Sequence, residues 1–171
     1  GLDVGTSYLI SSAEVDNKVI YNKVRDAFYV VKIKDGLGVN PLQLAGINYV
    51  EDDGKIFLVG EEAIRYAAGQ NEVARRPMKE GLISDIDLEA EEMMMKLLDA
   101  VTKNIPQGSI VKYTIPANPV TRTDSPIMIH EEIIEEMLGS LGFKASSINE
   151  AACIVLSELV SNKFTGFALS A

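Results

Sequence analysis

Apolar and polar positions along this chain change period several times, and each change marks an element. A short apolar run, Leu2-Asp3-Val4, is followed by Gly5-Thr6-Ser7 and a second apolar run at 8–10. This arrangement predicts a tight β-hairpin whose turn presents backbone N–H groups and two hydroxyls. Residues 18–23 (KVIYNK) and 28–34 (FYVVKIK) are rich in β-branched and aromatic side chains and read as strands. With 2–13 they predict an antiparallel meander. A loop at 35–41, with Asn40-Pro41 as a turn, marks a change of substructure. Segments 46–50 and 55–60 then flank Glu51-Asp52-Asp53-Gly54, whose Asp-Gly pair is a strong hairpin signal, and 61–68 reads as a short helix ending at Gly69. These elements predict a small α+β insertion, from which Arg75-Arg76-Pro77 returns the chain to the main body.

The second half reads as helices alternating with strands. A helix is predicted over 88–103, with Asp85 and Asp87 at its positive end and Met94, Met95, Leu98 and Val101 on one face. The run Met93-Met94-Met95 is explained by core packing, because methionine fills irregular gaps. Residues 109–115 (SIVKYTI) form a strand ending in Pro116-Ala117-Asn118-Pro119. A second helix starts with Ser125 as N-cap and Pro126 in its first turn. Its apolar stripe is Ile129, Ile133, Ile134, Met137, Leu138 and Leu141, and Gly142 stops it. A third helix over 148–160 and a strand over 164–170 complete the pattern. Strand, helix, helix and strand in this order predict a crossover onto a shared sheet.

Composition adjusts this picture in three ways. The 171 residues, 47% of them hydrophobic and 24% charged, suffice for one domain or two small lobes with a sizeable core. A net charge of −9, with no cluster of Lys and Arg interleaved with aromatics, argues against nucleic acid as a partner. The single cysteine, Cys153, excludes an internal disulfide and fits a reducing, cytoplasmic setting. No apolar run approaches the length needed to span a bilayer. The chain opens without Met on an apolar strand and stops within 167–171, as expected of the N-terminal part of a longer protein.

Candidate chemistry is concentrated at the two ends. Small residues at Gly5, Thr6 and Ser7 let a backbone approach a phosphate, and Asp3 at the rim is placed to hold a hydrated Mg²⁺. Glu150 reads from its neighbours as the last member of a capping box with Ser147 as N-cap. His130, the only histidine, reads as a solvated helix residue, and Cys153 as a buried inert thiol. Glu131, Glu132, Glu135 and Glu136 read as a solvated helix face, and Arg76 and Lys79 as exposed or inter-lobe residues.

Several segments occur together in one family. Gly1-Leu2-Asp3-Val4-Gly5-Thr6-Ser7 resembles the first phosphate motif of the actin-like ATPase superfamily, which takes in actin, bacterial actin homologues, heat-shock chaperones and sugar kinases. Val59-Gly60-Glu61-Glu62-Ala63 and Arg76-Pro77-Met78-Lys79-Glu80-Gly81-Leu82-Ile83-Ser84-Asp85 resemble segments typical of MreB, the bacterial cell-shape actin. Strand 109–115 with Pro116 resembles the family's strand-proline-helix, and Ile148-Asn149-Glu150-Ala151-Ala152 its Glu-containing connecting helix. The resemblance runs in the family's order over almost the whole chain. It implies an α/β, ribonuclease-H-like fold with a mixed five-stranded sheet flanked by helices, plus a small α+β inserted subdomain. Residues 1–34 and 85–171 are then subdomain IA and 35–84 the inserted subdomain IB, while the C-terminal half of the full protein is absent from this chain.

The same resemblance implies ATP and Mg²⁺ as ligands, with Asp3 at the metal, Gly5, Thr6, Ser7 and Ser170 at the phosphates, and Glu150 as the catalytic residue for water. Two departures matter. Ala151 stands where the family usually has proline, and Ser170 stands where it has Asp, so hydrolysis is expected to be slower than binding would suggest. This part alone is expected to be inactive. The implied function is an MreB-like cytoskeletal protein that polymerises with itself. It would be cytoplasmic, with possible membrane association and possible cell-shape or assembly partners. A non-polymerising chaperone-like or scaffold ATPase is the alternative from another class; a metabolite kinase lacks a visible sugar-binding constellation.

Overall fold

The structure is a computed structural model that describes residues 1–31, 49–52, 54–117 and 126–167. In chain order its elements are strands β1 (Leu2–Val4), β2 (Tyr8–Val15), β3 (Lys18–Arg25), β4 (Phe28–Val31), β5 (Val50–Asp52) and β6 (Lys55–Val59), helix α1 (Glu61–Gly69), and the short strands β7 (Met78–Lys79) and β8 (Leu82–Ile83). Helix α2 (Ala90–Val101), β9 (Ile110–Ile115), α3 (Pro126–Ser140), β10 (Lys144–Asn149), α4 (Glu150–Glu158) and a 3-10 turn at Val160–Asn162 follow. Five strands form one mixed sheet in the order β10-β9-β1-β2-β3, which makes the chain an α/β protein. Asp16 and Asn17, both at positive φ (52° and 59°), form the two-residue turn between β2 and β3. That is the type I′ geometry whose twist suits a hairpin.

The chain divides into two compact units: Gly1–Val4, Ile10–Asn22 and Thr102–Ala171 make the first, and Gly5–Leu9 and Lys23–Val101 the second.

In the first unit, β1, β9 and β10 run parallel, with Leu2 opposite Tyr113 and Lys144 to Asn149 opposite Ile110 to Ile115. Leu2, Val4, Val111 and Tyr113 are buried, and the Tyr113 hydroxyl donates to the Glu131 carbonyl of α3 at 3.0 Å. The expected strand over 164–170 is not formed by its described residues: Lys163 and Phe164 are left-handed (φ 53° and 57°) after the 3-10 turn. The fifth strand is β10, and the crossover is strand, helix, strand. KASSIN was overlooked because it carries little apolar alternation; six residues of pairing with β9 make it a strand. Helix α3 also turns differently from expectation. Ile127, His130, Ile134 and Leu138 are its buried positions, while Ile129 is exposed. The Ser125 cap lies outside the described residues. Helix α4 has no fully buried residue.

In the second unit, β4 leaves the predicted meander. The Ala27 N–H bonds back to the Arg25 carbonyl at 2.8 Å, so the chain bends at Asp26. β4 then pairs antiparallel with β6, in a three-stranded sheet ordered β4-β6-β5. The predicted Asp-Gly hairpin is present as β5 and β6, with Gly54 at φ 71°. Central β6 carries the continuous run Ile56-Phe57-Leu58 because both of its faces are covered. Ile56 and Leu58 join Ala27, Tyr29, Ala63 and Ala67 on the α1 side, and Phe57 joins Phe28 and Met93 on the other. Met93, Met94, Leu97, Leu98 and Val101 form the buried face of α2; Met95, expected there, is only half-buried.

Candidate functional site

Parallel strands of an open α/β sheet present their carboxyl ends, and the loops that follow them, to ligands. Here β1, β9 and β10 end on the same edge, at Val4, Ile115 and Asn149. The period of two puts Leu2 and Val4 inside and leaves Asp3 exposed on the opposite face. Thr114 sits beside it: its Oγ1 donates to Asp3 Oδ1 at 2.9 Å and accepts the Val4 N–H at 3.1 Å. Thr114 was not singled out from the sequence, because its role depends on strand pairing.

Glu150 is on the same edge, in the first turn of α4. The capping-box reading of it is overturned. Asn149 is the N-cap, its side-chain oxygen accepting the N–H groups of Ala151 (3.0 Å) and Ala152 (3.4 Å). Ser147 instead lies within β10, and its hydroxyl donates to the Glu131 carboxylate. Cys153, one turn further on, is half-buried; burial raises its thiol pKa first, and the charges of Asp3 and Glu150 add to that.

Gly5, Thr6 and Ser7 form the turn that follows β1 in the chain and belong to the second unit. The Gly5 N–H donates to the Tyr8 carbonyl at 3.2 Å, so this amide closes the turn and does not face outward as expected. A Cβ at Gly5 would come within 2.9 Å of that same carbonyl, which accounts for glycine here. The Ser7 carbonyl accepts the Asp26 N–H at 3.1 Å. Two cations unmarked in the sequence lie over the Tyr8 ring, Lys23 Nζ at 3.8 Å and Arg25 at 4.5 Å from its centre. Strand periodicity aligns them, since they are two apart on β3.

Two buried titratable groups complete the picture. Asp26 is fully buried, and among the described residues neither carboxylate oxygen has a hydrogen-bond partner of normal geometry. Desolvation pushes its pKa up to about 7, offset in part by the Met78 backbone N–H and the charges of Arg76 and Arg25. His130 is buried, not solvated as expected, and burial pulls its pKa down to about 4 against the opposing charge of Glu131. Ser170 lies outside the described residues.

Among the described residues no group of three or more His, Cys, Asp or Glu could hold a metal. A magnesium ion that keeps its waters and binds phosphate oxygens needs only one or two carboxylates, so an exposed Asp3 steadied by Thr114 fits it. No helix among the described residues is long and apolar enough to cross a membrane.

The MamK double helical filament is among the solved structures that match: 19% identity and a TM-score of 0.55, over 91% of this chain and 41% of that one. The fold is therefore that of the actin-like proteins, as the sequence resemblance implied. The chain belongs to the Volactin family, whose model matches residues 1–171. Among curated proteins there is no match.

Proposed function

We propose that this chain is part of an MreB-like, actin-fold cytoskeletal protein that binds ATP with Mg²⁺ in a cleft between its two halves and polymerises into filaments. The observation that carries this reading is the gathering of Asp3, Thr114, Asn149 and Glu150 at the carboxyl edge of β1, β9 and β10. Asp3 would hold the hydrated Mg²⁺, and Thr6 and Ser7 would supply hydroxyl and amide donors to phosphate oxygens. Once bound, the ion neutralises charge that develops on those oxygens during phosphoryl transfer. Glu150, at the start of a helix capped by Asn149, would orient a water toward the γ-phosphorus and take up its proton. Ser170, where related proteins carry Asp, supplies no carboxylate, and hydrolysis is accordingly read as slow.

The β5–β6 hairpin and α1 support the reading of a small inserted α+β subdomain of the IB type within 35–84, with 1–34 and 85–171 as IA; β4 (Phe28–Val31), from the 1–34 segment, completes its sheet. Because the chain spans 41% of the MamK chain, activity and assembly are proposed for the full-length protein. Self-association is the proposed partnership, in the cytoplasm, with membrane-associated cell-shape or assembly proteins as further partners. Light scattering and negative-stain imaging of the full-length protein with ATP and Mg²⁺ test it. Filaments that appear with slow phosphate release support the reading; ATP turnover without any assembly favours a non-polymerising switch, and no ATP binding sinks both.

A further inference from the structure

We propose that Thr114 is a positioning residue that holds the Asp3 carboxylate ready for a divalent cation, an inference that rests on the nucleotide reading above. A threonine hydroxyl has one proton and two lone pairs. Here the Val4 N–H occupies a lone pair at 3.1 Å and the proton goes to Asp3 Oδ1 at 2.9 Å. The two contacts orient each other. With the backbone amide fixed by the strand, the hydroxyl has one productive direction, and it points at the carboxylate.

The consequence is asymmetric for Asp3. Among the described residues its one hydrogen-bond donor is Thr114, on Oδ1, which leaves Oδ2 without a donor there on a residue that is itself exposed. An exposed aspartate on a three-residue strand would otherwise sample several rotamers, and ordering it would weaken cation binding. Thr114 removes that freedom in advance. Partners of this kind, one shell out from a metal ligand, typically matter tenfold or more to affinity.

A plain alternative is that Thr114 only staples β1 to β9. Three variants of the full-length protein separate the two, with a fluorescent ATP analogue and Mg²⁺ as probes. Thr114→Val removes the hydroxyl at nearly constant shape, Thr114→Ala does so while leaving room for a water at the Val4 N–H, and Thr114→Ser keeps the hydroxyl. The positioning role expects Val and Ala to raise the Mg²⁺ concentration for half-saturation about tenfold. It also expects unchanged binding of the analogue in EDTA, and Ser close to the parent. In an Asp3→Asn background the same changes should have no further effect on Mg²⁺. In the ligand-free protein, amide exchange at Val4 should speed up in Val and Ala and not in Ser. If Val4 exchange speeds up while the Mg²⁺ requirement stays put in both Val and Ala, Thr114 is a staple and the inference fails alone. If the parent binds neither probe, the nucleotide reading fails and takes this inference with it.

Discussion

Replacing Asp26 by asparagine should stabilise the second unit in proportion to pH. The carboxyl lies fully buried at the bend between β3 and β4, and desolvation raises its pKa from 3.8 to about 7. Below pH 3.8 the folded and unfolded chains both carry the proton, so the site costs nothing. Between 3.8 and 7 the folded chain keeps a proton that the unfolded chain has released, and stability falls as pH rises. Above 7 the full cost is present, at most about 4 kcal/mol for that separation of pKa values. Asparagine has the same shape and no charge to desolvate. Hydrogen exchange of the β4 and β6 amides in Asp26→Asn and the parent, from pH 4.5 to 8.5, reads the difference after correction for intrinsic rates. The gap should be small at the acid end and widen by several kcal/mol toward pH 8.5. A gap that stays constant with pH, or an asparagine variant that is less stable at pH 8.5, would refute the reasoning. Because the Asp26 N–H holds the Ser7 carbonyl, exchange of the Asp26 amide should follow the same trend.

His130 predicts the opposite slope in the first unit. Its pKa is lowered to about 4, so the unfolded chain takes up a proton first as pH falls from 6.5, and about 3 kcal/mol of stability is lost by pH 4. Its ring resonances in an NMR titration should move near pH 4; movement near 6.5 would contradict the burial. Glu150→Ala should lower phosphate release by about 10² or more while ATP binding stays within about twofold, if the carboxylate orients water. An equal loss in binding would instead assign Glu150 to the ligand pocket's structure. Gly5→Ala drives a Cβ to 2.9 Å from the Tyr8 carbonyl and should cost about 1–3 kcal/mol in thermal or urea unfolding. A neutral effect would mean that the turn relaxes freely.

Much of this architecture is legible in the order of residues because it depends on near neighbours. Strand period, the Asp-Gly turn of β5 and β6, the helix over Ala90–Val101 and the small-residue turn at Gly5 are all set by chemistry within a few positions. The actin-like resemblance is legible for the same reason, as short motifs in a set order. Partnerships are different. KASSIN became a strand because β9 offers it six paired residues, and His130 went inward because α3 turns its Ile127, Ile134 and Leu138 face to the core. Asn149 displaced Ser147 as the helix cap once β10 had claimed Ser147. Thr114 met Asp3 across 111 positions of chain, and Asp26 lost its solvent to elements distant in sequence. Which side chain is desolvated, and which hydroxyl finds which carboxylate, depends on contacts whose energy exists only after the chain has closed on itself; no window of neighbouring residues carries that information.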